Sequence, residues 1–241
     1  DGSEMATSSS KGSSDAAASS VRKTAYRRVL VIELEEAADA MRETLCRALA
    51  EKIPDADAKK VEAALLRFGL CASPEQAARS LLLGLGVRAS THNDIVASVN
   101  DAILSFCVGE DCRMKAAVKA AVDANTELGG ALAFLTSLPP DAARRVLERW
   151  GLADHATLVA VPVADGGFPT PEQWRRAARE AGAGVPATAL VASRPSCKTA
   201  LIAGLRCIVV PDRFTAAQDF GGADAVLEGA RVTKGDFLEV F

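Results

Sequence analysis

The sequence is short of the residues that build common metal and nucleic-acid sites. It has only two histidines, and its six cysteines, at 46, 71, 107, 112, 197 and 207, never fall in a C-x-x-C pair. A zinc cage is therefore not expected. Lys and Arg number 28 against 31 Asp and Glu, a net charge of −3. That leaves no basic footprint for nucleic acid, so no nucleic-acid partner is expected. No apolar run approaches the roughly 20 residues that span a bilayer, and no secretory apolar core is present. Neither a membrane nor an export route is implied.

What is present is an ordinary globular composition, 49% apolar and 24% charged over 241 residues, enough for one large domain or two modest ones. Most cysteines lie inside apolar runs, which reads as buried thiols in a reducing compartment. Cys107 and Cys112 are close enough in sequence to bridge, but such a compartment argues against it. Residues 1–23 are rich in Ser, Ala and Gly without apolar periodicity, and 1–27 is expected to be a disordered tail. The four residues ahead of Met5 read as an appended segment, and the Ser-rich composition faintly suggests an organelle transit segment.

The chain is organised around 187–212, ATALVASRPSCKTALIAGLRCIVVPD. Two short apolar runs, 189–192 and 207–210, read as buried strands. Between them come a loop, Ser193-Arg194-Pro195-Ser196, and a helix over 197–203 that stops at Gly204. This is a βαβ unit, and ligands of such units sit beyond the carboxyl ends of the strands. The first strand is expected over 28–34 (RVLVIEL), followed by Glu35 and Glu36. Helices are expected over 37–52, 57–68, 73–85, 91–106 and 111–124, with no strand among them. Ser73-Pro74 is a good helix start, and Arg113, Lys115 and Lys119 make the last of these helices basic. Strands then return at 131–135 and 157–161, with helices at 141–150 and 171–181. Residues 226–227 and 237–241 are expected to add small strands or a closing turn. The pattern is α/β, a parallel sheet covered on both faces with an all-helical insertion after its first strand.

Three stretches carry a resemblance. GGALAFLTSLPPDAARRVLERWGL (129–152), FPTPEQWRRAAREAG (168–182) and SRPSCKTALIAGLRCIVVPDRFTAAQDFGGADAVLEG (193–229) resemble, in order, the later motifs of the haloacid dehalogenase (HAD) superfamily. The tail of the third is similar to sugar-phosphate phosphatases of plants and bacteria. The resemblance covers about 28–40 and 125–230. It implies a Rossmann-like core of 28–40 and 123–241 with a helical cap of 41–122. It also implies phosphoryl transfer to an Asp nucleophile on the first strand, with a second Asp as acid/base. A Thr or Ser and a Lys would hold the phosphate, and further Asp would help hold magnesium.

This sequence keeps the frame and departs at the reacting groups. The nucleophile position is Glu33 and the acid/base position Glu35, each about 1 Å longer than Asp, enough to misplace attack. Glu36-Ala37 follow, a third carboxylate facing any phosphate. Thr136 is retained. Phe168 replaces the Lys, and Ala192 replaces the fourth-motif acid. Glu33 and Glu35 alone are a poor magnesium site. The expectation is that Glu33, Glu35, Thr136, Phe168 and Ala192 are vestigial, with no catalytic residue and no cofactor. Thr136, Ser137, Ser193, Arg194 and Lys198 are the candidate ligand-binding residues, and Lys198 or Arg194 the candidate replacement cation. A protein partner is expected, and a phosphorylated small molecule is the alternative ligand. On the alternative reading, an active phosphatase uses Glu33 and Glu35 with magnesium. Asp165-Gly166-Gly167 reads as a turn, His92 and His155 as capping or surface residues, and Trp150 and Trp174 as packing residues. The compartment is the chloroplast stroma by resemblance, or the cytoplasm if Met5 is the start.

Overall fold

Strand β1 (Val29–Glu33) is buried along its whole length, as expected of a strand covered on both faces. Side chains alternate across a strand. Leu30 and Ile32 therefore enter one apolar cluster, and Val29 and Val31 enter the other. The computed structural model describes residues 28–68, 73–161, 167–183, 187–228 and 231–241. The tail 1–27, Cys71, Asp165 and Gly166 lie outside the described residues.

Among the described residues the sheet has six strands in the order β3-β2-β1-β4-β5-β6, with every pairing parallel. The strands are β1, β2 (Ala131–Thr136), β3 (Ala156–Ala160), β4 (Thr188–Val191), β5 (Arg206–Val209) and β6 (Ala225–Val226). The order reverses between β1 and its two neighbours, β2 and β4, so the crevice at their carboxyl ends is where a ligand of such a sheet sits. Glu33, Thr136 and Ala192 all stand at that edge, as the sequence pattern requires.

After β1 come a single turn, α1 (Leu34–Ala37), and then α2 (Met41–Ala50), α3 (Ala58–Phe68), α4 (Pro74–Gly84) and α5 (His92–Val108). They are followed by α6 (Ala116–Glu127), α7 (Pro140–Arg149), α8 (Pro171–Glu180), α9 (Arg194–Ile202) and α10 (Lys234–Val240). Helices α8 and α9 cover one face of the sheet, through Trp174, Ala177, Cys197 and Ala200. The other face holds α6, α7 and α10, and its apolar cluster continues through α5 into α2, α3 and α4. No helix among the described residues is long and apolar enough to cross a membrane.

Three expectations change in detail. The helix expected over 37–52 is broken at 38–40, where the chain pairs with its own return. Ala38 bridges Met114, Asp39 N donates to Arg113 O (2.8 Å), and Lys115 N donates to Ala37 O (2.9 Å). Residues 112–115 serve this neck, so the helix expected from 111 starts at Ala116. It then runs unbroken through 122–123 and packs on the sheet beside α10. The segment 237–241, expected as a strand or turn, lies in and just after helix α10. Thr233 and Asp236 form a capping box there, and buried Phe237 packs against the Phe241 ring at 5.7 Å.

The break before α2 is made by Ala40, which holds a left-handed backbone (φ +58°) without being glycine. That conformation costs an L-residue about 1–2 kcal/mol. Ala40→Gly is therefore expected to stabilise the protein by roughly 0.5–1 kcal/mol in urea titration, reversing the usual sign of Ala→Gly. Destabilisation would mean that the bend is not held as described.

Candidate functional site

Glu33 is the last residue of β1 and points by alternation to the α8–α9 side of the sheet. It is 2% exposed, and neither carboxyl oxygen has a hydrogen-bond partner among the described residues. Burial pushes its pKa up to about 8, with Glu36 and Glu35 adding to the rise. Ser196 and Arg42 oppose it without cancelling it. The Ser196 hydroxyl, equally buried, makes no hydrogen bond of its own in the described structure. Glu33 thus stands sealed from solvent, its carboxyl bound to no donor in the described structure.

The short turn α1 buries the next two acids beside it. Glu35 Oε1 accepts from both Ser137 N (2.6 Å) and Ser137 Oγ (2.5 Å), which ties the end of β1 to the loop after β2. Burial still raises its pKa, despite the two donors. Glu36 takes two contacts from one Arg42 nitrogen, at 2.6 and 2.5 Å. The other terminal nitrogen of Arg42 donates to Asp212, in the loop after β5, and Lys115 Nζ adds a second bond to that carboxylate at 3.1 Å. Burial works against the Arg42 charge, but Glu36 and Asp212 outweigh it and hold the guanidinium more firmly charged. Burial likewise pushes Asp212 up, and Arg42 and Lys115 overcome it and hold the carboxyl below its ordinary range.

A cleft of about 290 Å³ opens between α2 and the β5 loop, lined by Glu35, Glu36, Arg42, Lys115, Asp212 and Phe214 among others. Arg213 lines it too, reaching across to Glu43 (3.0 Å) and Glu62 (3.0 Å) while its guanidinium lies 4.1 Å from the Phe214 ring.

The residues singled out in the sequence take different places. Thr136 is buried, and its Oγ1 accepts from Leu138 N (3.1 Å), fixing a turn. Ser137 is bound to Glu35. Ser193 is fully buried and caps α9, accepting from Ser196 N (3.5 Å). Ala192 is buried and supplies no oxygen from its side chain. Phe168 is half-buried and follows Gly167, whose carbonyl accepts from Ser73 N at the start of α4 (3.1 Å). Arg194 and Lys198 are exposed and do not line the cleft; its cations are Arg42, Lys115 and Arg213. Sequence reasoning missed Arg42, Arg213 and Asp212, and took Lys115 as one basic position on a helix. Arg42 follows Glu36 by six residues, a spacing that an unbroken helix does not place on one face.

The remaining candidates stay outside this cluster. His92 Nε2 is bonded to Val87 O (2.8 Å) at the start of α5, and His155 is exposed. Trp150 and Trp174 pack in the core, their indole nitrogens donating to Cys112 O and Thr199 Oγ1. Cys107 and Cys112 are buried free thiols, as are Cys46, Cys197 and Cys207.

The donors do not fit magnesium, which takes several hard oxygens in near-octahedral array. Glu33 is sealed at 2% exposure, Glu35 holds Ser137, and Glu36 and Asp212 are paired with Arg42 and Lys115. Among the described residues no group of three His, Cys, Asp or Glu is placed to hold a metal ion.

No protein-family model matches the sequence, and no curated protein does either. Solved structures do. CbbY from Rhodobacter sphaeroides, in complex with phosphate, is 20% identical with a TM-score of 0.64, over 89% of this chain and 96% of that one. A HAD hydrolase of family IA, variant 3, from Entamoeba histolytica is 11% identical with a TM-score of 0.64, over 89% and 98%. The β-phosphoglucomutase of Clostridium difficile is 14% identical with a TM-score of 0.58, over 83% and 90%. The chain therefore has the α/β fold of these HAD hydrolases.

The raised Glu33 pKa fixes a sign for stability against pH. The folded protein keeps a proton that the unfolded chain releases near 4.5, so this contribution is full below 4.5 and is lost as pH rises towards 8. One pKa unit is worth about 1.4 kcal/mol, so the loss is on the order of a few kcal/mol. Glu33→Gln, which keeps the shape and removes the proton, is expected to flatten this fall in urea titrations across that range. Parallel curves for the two proteins would contradict it.

Proposed function

We propose that this chain is a HAD-fold protein that performs no phosphoryl transfer and acts by binding, as a partner in a protein assembly. The observation that carries the reading is the placement of Glu33: 2% exposed, with no hydrogen-bond partner among the described residues, beneath carboxylates that are already paired. Phosphoryl transfer gains nearly all its rate from positioning and charge stabilisation around an ionised, reachable attacking oxygen. Here the carboxylates that stand nearest are committed to Ser137, Arg42 and Lys115, and the positions of Phe168 and Ala192 carry neither a cation nor an acid. The fold is kept because it presents a surface, not because it turns over a substrate.

A second reading has one observation in its favour. The cleft of about 290 Å³ is open, and CbbY, of the same fold, has been solved with phosphate and with xylulose-(1,5)-bisphosphate. On that reading the chain hydrolyses a small phosphorylated metabolite with Glu33 and Glu35. The two separate in one experiment, in which purified protein with magnesium is given p-nitrophenyl phosphate and a panel of sugar phosphates. No turnover above the uncatalysed rate is expected, and no rise in Tm with the same sugar phosphates, since a ligand stabilises the state it binds. Turnover near 1 s⁻¹, the low end for ordinary enzymes, that vanishes in Glu33→Ala would falsify the binding reading.

A further inference from the structure

The carboxyl end of β1 is where the resemblance implies a divalent cation, and the side chains there do not suit one. We propose that Arg42 supplies the positive charge from within the chain, so that the helical block is fastened to the sheet without a metal ion. This goes beyond the loss of turnover, because a protein without chemistry can still hold magnesium.

The geometry is that of a cation shared between carboxylates. Glu36 follows β1, Asp212 follows β5, and the Arg42 guanidinium joins them at 8% exposure. Its planar fork, with five donors, suits two carboxylates at once, and its charge survives burial where a lysine's is more readily lost. Phe214 lies under it, the guanidinium carbon 5.8 Å from the ring centroid. Lys115 Nζ adds a second positive charge on Asp212. Two carboxylates thus face two cations, and the cluster has no excess negative charge to draw a divalent ion. Around it, Glu33 is sealed at 2% exposure, Glu35 is turned to Ser137, and Glu43 is paired with Arg213.

The placement also explains why the charge comes from α2. Arg42 stands just beyond the neck formed by Ala38 and Met114, and Lys115 stands on the returning segment, just before α6. Both grip Asp212 on the sheet side, so both segments of chain at the neck are tied to the loop after β5. A metal ion is free to leave, but the guanidinium is covalently part of the helix.

Thermal unfolding of the whole chain in EDTA and in millimolar magnesium tests this. Wild type is expected to show the same Tm in both. Arg42→Met leaves Glu36 without its cation and Asp212 with Lys115 alone. It is expected to lose roughly 6–15 °C in EDTA and to recover part of that in magnesium. Arg42→Lys keeps a charge without the fork, and is expected to lose less and to ignore magnesium. A wild-type Tm that rises with magnesium or falls with EDTA overturns the proposal. So does an Arg42→Met protein as stable as wild type, or one destabilised but blind to magnesium. If Arg42→Met does not fold, wild type and Arg42→Lys decide: a magnesium response in either counts against the proposal, and its absence from both supports it.

Discussion

A guanidinium held between two buried or half-buried carboxylates sets the terms for everything around it. Arg42, in the first helix of the block, joins Glu36 just after β1 to Asp212 just after β5. Taking such charges out of water is costly, and the attraction repays the cost only when the geometry is good and the set is complete. The bridge is thus weak evidence of extra stability and better evidence of a fixed arrangement. Swinging the block away from the sheet would break the Arg42–Asp212 pair together with the apolar cluster that runs from the sheet into α2, α3 and α4.

The same bridge decides the chemistry of its neighbours. Glu36 and Asp212 are spent on Arg42 and Lys115, so they are not open to a ligand's cation. Glu35 is spent on Ser137. Glu33 is left beneath, with no partner among the described residues and too little positive charge nearby to hold it ionised. Three acids at the end of one strand would ordinarily mark a cation or proton-transfer site. Here Glu35 and Glu36 are put to different structural uses and Glu33 is sealed without a partner among the described residues, and the cleft that remains is walled largely by groups already paired.

The fold was readable because its signals are redundant. The buried run VLVIE, the strand ALAFL before Thr136, the Ser193 cap and the Gly204 stop each point to a βαβ sheet, and none depends on another. The helical insertion was readable from periodicity alone. That Phe168 and Ala192 bring neither a cation nor an acid was readable because no fold can add to a side chain what its sequence lacks. What could not be read was compensation at a distance. Arg42 meets Asp212 across 170 positions, and it reaches Glu36 only because Ala40 turns left-handed. A glycine there would have announced the bend, but an alanine does not. Glu36 accordingly looked like a third repelling charge, whereas it is one side of a neutral pair. Arg194 and Lys198 were chosen for nearness in sequence to the fourth strand, and the helix turns both of them to solvent.

The state of Glu33 can be observed directly. Carbon NMR of the side-chain carboxyls, with Glu33→Gln to assign the resonance, follows its titration in the folded protein. A carboxyl carbon that stays protonated through neutral pH and titrates towards 8 is expected. One that titrates near the ordinary 4.5 would show an ionised Glu33 at neutral pH, and with it a site still able to attack phosphorus.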